Sequence, residues 1–283
     1  MINNKFYQTR NDLFSLFTYL LLITLAVMML YPLYFALISS FKPSSEYIKD
    51  VLSFPNSFFT GNYSTVLIQM NMLRFLWNTV FTVSIAMCFY LTICSAAGLA
   101  FGKFKFKGKI FLFSLILFFQ IFPQMVVAQE LYLLLARMRL LNTNVGLIIA
   151  WCAYFTPFGT YIMTTYFATV PKEIIESARM DGTGVITLLF KIMMPVAKPM
   201  LGTIGVIGTL SMWNELPFAM LIMMDNTRRT VTAGIAMMQG EFGVPVTILT
   251  SAVIISAIIP TICYLIFQRF ITMSASAGTL SAE

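Results

Sequence analysis

Long apolar stretches of helical length restrict what this 283-residue chain can fold into. A helix needs about 20 mostly apolar residues to cross the hydrocarbon core of a bilayer. Apolar residues make up 59% of the chain and charged residues only 10%, where a soluble domain carries roughly a quarter of charged residues. This composition excludes a soluble globular enzyme, and it also excludes a disordered chain, which requires low hydrophobicity. We therefore predict an all-α integral membrane protein.

Six membrane-spanning helices can be placed on these stretches. The predicted spans are about 13–41, 77–102, 110–128, 145–167, 200–223 and 246–267. Three prolines fall inside spans, where neighbouring helices can satisfy the carbonyl groups that each proline frees; they are Pro32, Pro157 and Pro260. The resulting domain plan is an N-terminal tail, a six-span membrane domain and a C-terminal tail, with boundaries at 1–12, 13–267 and 268–283.

The distribution of Lys and Arg predicts which side of the membrane each loop occupies. Six spans place both tails, the loop 103–109 and the loop 168–199 on one side, which holds eleven of the 18 Lys and Arg residues. The run KFKFKGK over 103–109 carries most weight because it is short and lies between two spans. We therefore expect both termini in the cytoplasm. The longest external segment, 42–76, is expected to be rich in turns with one short helix.

Several kinds of chemistry are excluded by the residue types. The chain has no His, so the commonest general base and metal ligand is missing, and it has no P-loop, HExxH or GxSxG motif. The four cysteines lie singly inside apolar runs and are interpreted as packing or lipid-facing thiols; they are Cys88, Cys94, Cys152 and Cys263. We expect no catalytic residue, no metal site, no directly bound cofactor and no nucleic-acid partner.

One cytoplasmic segment, 168–199, carries more pattern than a simple connector needs. Its first part predicts a helix that ends at Gly182, since a glycine readily takes the left-handed conformation that stops a helix. Residues 185–194 predict a second, mostly apolar helix that Pro195 and Pro199 close. The pattern alone leaves two interpretations open: a knob that docks into a partner protein, or an amphipathic helix at the membrane surface.

The spacing within this segment resembles the EAA loop of permease subunits in bacterial ABC importers. The matching residues are Glu176-Ser177-Ala178, Asp181-Gly182-Thr183 and Ile192-Met193-Met194-Pro195. The resemblance covers nearly the whole chain and is nearest to the second-permease group of maltose-type carbohydrate importers. Its other matches are Ser40-Phe41-Lys42-Pro43, Asn62-Tyr63, Trp77-Asn78-Thr79, Leu141-Asn142-Thr143, Trp213-Asn214-Glu215 and Gln268-Arg269-Phe270. The C-terminal sequence MSASAGTLSAE departs from the Gly-rich, Lys-containing tail of that family.

This resemblance implies a type I importer permease whose EAA loop is a coupling helix seated on an ATPase. The residues expected to form that contact are Glu176, Ser177, Ala178, Asp181, Gly182 and Pro195. The implied partners are a second permease subunit, two ATPase subunits that bind ATP and Mg²⁺, an extracellular solute-binding protein and the bilayer of the cytoplasmic membrane. ATP binding would shift a two-state rocking of the spans, and the expected solute is a sugar, above all an oligosaccharide.

Polar residues inside spans are candidates for the solute path, because they are costly in lipid and usually face a cavity. The candidates are Asn78, Gln120, Gln124, Tyr154, Trp213, Asn214 and Glu215. Glu215 is the only acidic residue placed within a span, and gating or packing is its alternative role. Three alternatives to a sugar importer are an importer of a polyol or sugar phosphate, an ion-coupled secondary transporter built around Glu215, and a structural membrane subunit.

Overall fold

Helices form all of the regular structure in residues 2–240 and 243–279, the parts of the chain that this computed structural model describes; side chains are described for 15–240 and 243–269. The helices are α1 Ile2–Ser40, α2 Ser44–Lys49, α3 Gly61–Ser64, α4 Met72–Lys103, α5 Lys109–Phe118, α6 Gln124–Arg137, α7 Asn144–Thr169, α8 Lys172–Met180, α9 Val185–Thr187, α10 Met194–Val196, α11 Lys198–Trp213, α12 Pro217–Ile222, α13 Val231–Gly240 and α14 Val246–Thr279. The prediction of an all-α chain is confirmed for this part of the molecule.

The membrane-spanning candidates are four single helices and two bent pairs. The four single segments are Ser15–Ser40, Met72–Lys103, Asn144–Thr169 and Val246–Arg269. The two pairs qualify only when their parts are taken together: Lys109–Ile121 with Gln124–Arg137, bent by 104°, and Val185–Val196 with Lys198–Trp213, bent by 85°. Within the described residues, counting each pair as one span gives up to six by length and composition, the number that the sequence predicts. The second pair includes Val185–Val196, the helix that the sequence places in the segment 168–199 outside the spans.

Two predicted spans differ from the structure in shape. The third, 110–128, was expected to be continuous, but the chain turns at Pro123, which is extended (φ −58°, ψ 139°) and precedes α6. The fifth, 200–223, was also expected to be one helix, but α11 ends at Trp213 and a separate helix begins at Pro217. Proline suits the start of a new helix, and both interruptions lie beside such a proline, so hydropathy alone does not show where these two spans are broken.

The helical backbone extends beyond the boundaries predicted for the two tails. α1 begins at Ile2 and α14 continues to Thr279, so most of the predicted tails 1–12 and 268–283 belong to these two helices. Met1 and residues 280–283 lie outside the described residues. The three prolines predicted to lie within spans are inside helices: Pro32 in α1, Pro157 in α7 and Pro260 in α14.

The chain divides into two compact units, and the larger one comprises Asn71–Gly240 and Ser256–Glu283. Its centre is a close crossing of α4 and α7. A Cβ atom placed on Gly98 would lie 2.5 Å from the Cβ atom of Met163, and one placed on Gly159 would lie 2.5 Å from Cys94 Sγ. Gly98 and Gly102 have the GxxxG spacing that lets membrane helices approach closely. Cys94 is buried at this crossing, as expected for a packing thiol.

The smaller unit comprises Met1–Met70 and Glu241–Ile255, and a buried lysine organises the segment that follows α1. Lys42 is fully buried, and its Nζ donates hydrogen bonds to the carbonyl oxygens of Asp50 at 2.9 Å and Val51 at 3.2 Å. The side-chain amide of Asn62 donates to the Lys42 carbonyl oxygen at 2.8 Å. The Ser-Phe-Lys-Pro and Asn-Tyr matches of the sequence therefore fold the segment after α1 against itself.

Candidate functional site

The 168–199 region folds as the predicted helix, glycine turn and second helix. α8 ends at Met180 with Asp181 as its C-cap residue, and Gly182 has a positive φ of 74°. The N–H of Gly182 donates to the Arg179 carbonyl oxygen and the N–H of Thr183 donates to the Ala178 carbonyl oxygen, both at 3.0 Å. This pair of bonds is the Schellman arrangement that satisfies the last carbonyl groups of a helix. The turn is therefore rigid, and a Cβ at position 182 would strain it.

α8 has one face toward the protein and one toward solvent. Ile175 and Ala178 are buried and belong to the hydrophobic core of the chain. Glu176 and Ser177, together with Asp181 of the turn, are exposed. The sequence-based expectation grouped Ala178 with these exposed residues as a partner contact, but Ala178 is only 5% exposed and packs inward. Its side chain supports the base of the turn, while the exposed side chains are the ones available to a partner.

The second helix of this region runs further than predicted. Pro195 was expected to close it, but Pro195 lies within α10, and the helix continues to Val196 after a π-helical turn over Leu188–Met193. A π turn re-registers the backbone hydrogen bonds, so the missing N–H of a proline can be tolerated. Pro199 was the second expected stop, and it lies instead in the first turn of α11. We refer to residues 172–196 as the helix–turn–helix segment.

Large apolar side chains are exposed around the turn of the helix–turn–helix segment. Met180, Ile186 and Val185 are 88%, 76% and 57% exposed. The base of the same segment is buried through Leu188 and Met193. An exposed apolar tip on a buried base is typical of a docking surface, because large apolar patches on a protein surface mark sites of interaction with a partner.

Two contacts join the end of α4 to α8 and to the chain that precedes α8. The Nζ of Lys103 donates hydrogen bonds to the carbonyl oxygens of Ala168, at 3.1 Å, and Val170, directly before α8. The guanidinium carbon of Arg179 lies 5.7 Å from the centre of the Phe104 ring, within the range of a cation–π interaction. α8 therefore contacts the residue that directly follows α4, and Lys103 holds the chain just before α8.

A buried carboxylate links three helices elsewhere in the larger unit. Glu215 Oε1 accepts hydrogen bonds from Gln124 Nε2 and the Phe218 N–H, both at 2.7 Å. Its Oε2 accepts from Trp151 Nε1 at 2.8 Å and from the Ala219 N–H at 3.1 Å. Glu215 thus caps the N-terminus of α12, where a negative charge is favourable, and joins α12 to α6 and α7. We call these residues the Glu215 cluster.

The Glu215 cluster changes the interpretation of its members. Glu215 is 5% exposed and each of its oxygens accepts two hydrogen bonds, so the carboxylate faces packed protein and not an open path. Gln124, another path candidate, orients toward this carboxylate. The fully buried Trp151 was missed because it lies in an apolar run 64 positions from Glu215. Nothing local in the sequence signals such a pairing.

Two asparagines from the sequence matches hold the loop that follows α12. Asn78 Nδ2 donates to the carbonyl oxygens of Thr227 and Arg229, at 2.9 and 3.1 Å. Asn142 Oδ1 accepts from the Asp225 N–H at 3.1 Å. Within the loop, the backbone N–H of Thr227 donates a hydrogen bond to the carboxylate of Asp225, and this bond is the main reason why the pKa of Asp225 is lowered. Asn78, expected on the solute path, is therefore engaged in fixing this loop.

The remaining path candidates do not converge on one cavity. Trp213 is buried, and Asn214 is exposed with its Nδ2 donating to the Leu210 carbonyl oxygen at 2.8 Å. Tyr154 packs its ring edge-on at 5.5 Å from the ring of Phe218. Gln120 is exposed in the 3₁₀ turn after α5. An apolar groove of about 1020 Å³, lined by side chains of α4 and α7, contains none of the candidates.

Comparison with known proteins connects this geometry to a family. Residues 94–273 match the family model described as binding-protein-dependent transport system inner membrane component. That range includes the helix–turn–helix segment and the Glu215 cluster. The chain belongs to this family of permeases. Its six-span helical architecture is that of a type I ABC importer permease.

Individual relatives agree with this assignment along most of the permease. It is 32% identical over 250 residues to a putative ABC transporter permease protein of Caldicellulosiruptor sp., covering 88% of this chain and 90% of the relative. It is 29% identical to the trehalose/maltose transport system permease protein MalG of Thermococcus litoralis, covering 92% and 95%. A crystal structure of a bacterial ABC transporter that imports alginate matches with a TM-score of 0.79 and 22% identity, covering 91% and 96%.

Proposed function

We propose that this permease is the membrane-spanning subunit of an ATP-driven importer, and that its helix–turn–helix segment docks on a separate ATPase subunit. One observation carries the coupling role: the segment presents an exposed apolar tip on a base that is packed into the core, and its Arg179 contacts Phe104 directly after α4. A rigid knob of this kind moves as one body when its partner moves. Transport is then a two-state rocking of the spans that ATP binding shifts.

The chemistry of the tip fits a protein partner. Met180 and Ile186 offer apolar area whose burial drives association. Glu176 and Asp181 are exposed beside them and can accept charge-assisted hydrogen bonds from Arg or Lys of the ATPase. The alternative of an amphipathic helix on the membrane surface fits less well, because acidic groups at the tip are repelled by anionic headgroups.

We infer that the solute is a sugar, with an oligosaccharide as the first candidate. Support comes from the trehalose/maltose name of one relative and the alginate substrate of the matching structure. The predicted spans contain no basic residue, which disfavours a sugar phosphate. An ion-coupled secondary transporter is disfavoured as well, since Glu215, the one carboxylate within the spans predicted from sequence, already accepts four hydrogen bonds.

The proposed assembly contains a second permease subunit, two ATPase subunits that hold ATP and Mg²⁺, and an extracellular solute-binding protein. The permease itself contributes no catalytic group in this proposal. Both termini are proposed to be cytoplasmic, on the side that holds the run Lys103–Lys109 and the helix–turn–helix segment. The loop fixed by Asn78 and Asn142 would then lie on the external side, where a binding protein delivers solute.

The function is tested by uptake of labelled sugars into proteoliposomes that contain the reconstituted importer. A disaccharide and an oligosaccharide are compared with a polyol and a sugar phosphate, each in the presence of its binding protein. The variant Met180→Ala should leave membrane insertion unchanged and weaken the ATPase contact by about 2 kcal/mol, as for a central interface residue, so that uptake falls at limiting ATPase. Met125→Ala, at a methionine that is 70% exposed on α6, is the matched control. Equal uptake by both variants would overturn the coupling role.

A further inference from the structure

The segment 103–109, from the end of α4 to the start of α5, carries four lysines, and the proposed function gives the inner two, Lys105 and Lys107, no contact. Its sequence alternates Lys and Phe over 103–107, and Gly108, with a φ of 80°, turns the chain into α5. The two outer lysines of the run are engaged within the protein. Lys103 donates to carbonyl oxygens at the end of α7, and Lys109 Nζ donates to the Phe104 carbonyl oxygen at 3.2 Å. The two inner lysines, Lys105 and Lys107, are exposed.

The phenylalanines of the run anchor this segment. Phe104 packs against the core and lies under Arg179, and the ring of Phe106 lies 5.8 Å from that of Phe101. The extended backbone at Phe104 places its neighbour Lys105 on the opposite side. Lys107 lies in the turn that leads into α5, and its side chain is exposed like that of Lys105.

Large apolar side chains adjoin the two lysines at the start of α5. Ile110 is 81% exposed and Phe111 is 69% exposed. Lys105 and Lys109 line one small cavity together with these two side chains. A surface with cationic groups directly beside lipid-exposed apolar side chains matches the boundary between headgroups and acyl chains of a bilayer.

We propose that Lys105 and Lys107 bind the phosphate of an anionic phospholipid in the cytoplasmic leaflet, while Ile110 and Phe111 contact its acyl chains. The proposal rests on the proposed function only for the cytoplasmic location of this loop. Charge complementarity favours an anionic lipid as the ligand, since each lysine near an anionic membrane surface strengthens binding about fivefold. Phe104 of this loop contacts Arg179 of α8, so the bound lipid would hold the helix–turn–helix segment at a fixed depth.

The test measures lipid preference at the loop in the full chain. The four native cysteines are replaced, Ile110→Cys is labelled with a fluorophore, and the chain is reconstituted in phosphatidylcholine vesicles. Trace phosphatidylglycerol or phosphatidylcholine, carrying a doxyl group near the headgroup end of an acyl chain, quenches the label. We expect phosphatidylglycerol to bind at the loop roughly 25-fold more strongly than phosphatidylcholine, because each of the two lysines contributes about fivefold. This preference should weaken as the salt concentration rises.

Variants identify the groups responsible. The pair Lys105→Gln and Lys107→Gln should bring the preference close to one, whereas Lys105→Arg with Lys107→Arg should keep it. Lys49→Gln, at an exposed lysine of α2, should leave the preference unchanged. Equal quenching by both lipids in the parent chain, or a preference that survives the double Gln variant, would overturn the proposal. Displacement of the lipid by an added ATPase subunit would also overturn it, in favour of a protein partner. Because the main measurement needs no ATPase, its failure leaves the coupling proposal standing.

Discussion

Replacing Glu215 by glutamine tests whether the buried carboxylate holds α6, α7 and α12 together. Each carboxylate oxygen accepts two hydrogen bonds, one from a side chain and one from a backbone N–H. A glutamine has the same shape but only one oxygen, so either orientation of its amide sets an NH₂ group against two donors. Two hydrogen bonds to a charged group are then lost at about 1.5–3 kcal/mol each. We expect Glu215→Gln to lower the free energy of unfolding by about 3–6 kcal/mol.

The assay is unfolding of the full chain in mixed micelles, with the free energy obtained from the population of the unfolded state. Glu176→Gln is the matched control, because Glu176 is exposed on α8 and surface substitutions change stability by at most about 0.5 kcal/mol. Trp151→Phe should lie between the two, since it removes one of the four donors. A Glu215→Gln chain as stable as the Glu176→Gln chain would show that the carboxylate is not a structural link.

Three further predictions concern other parts of the fold. Gly98→Leu should destabilise the chain by at least 1–3 kcal/mol, measured by thermal unfolding, because its side chain would meet Met163 at the α4–α7 crossing; an unchanged melting temperature would contradict the close packing. Asn78→Ala and Asn142→Ala should each speed hydrogen exchange of the loop after α12, and exchange that stays slow in both would show that other contacts hold it. Lys42→Met should expose the segment after α1 to limited proteolysis, because carbonyl groups lose their donor; resistance equal to that of the parent chain would contradict this role.

Much of the fold follows from sequence because hydropathy reports burial in lipid directly. The helix–turn–helix segment was also predictable, since Gly182 marks a local stop whose physics needs no distant residue. The breaks at Pro123 and Pro217 were less accessible. Proline is tolerated inside α1, α7 and α14 of this same chain, so its presence alone does not distinguish a broken span from a continuous one.

The roles of polar residues inside the spans could not be obtained from sequence. An acidic residue in an apolar stretch predicts a cavity or a path, but Glu215 is stabilised by Trp151 and Gln124, which are distant along the chain. The same holds for Lys42, which looks like a surface charge and is fully buried. Ala178 illustrates a finer limit: the motif places it in a contact segment, whereas the helical phase turns it toward the core.

The central claim, that the helix–turn–helix segment docks on an ATPase, is tested most directly by a paired cysteine cross-link. One cysteine replaces Met180 in a chain whose native cysteines have been replaced, and the other lies in the membrane-facing cleft of a co-expressed ATPase subunit. Ala178→Cys is the internal control, because position 178 is only 5% exposed and faces the core. The account predicts a cross-link at position 180 whose yield changes with ATP, and a much weaker one at position 178. A stably inserted chain that cross-links at neither position would contradict it.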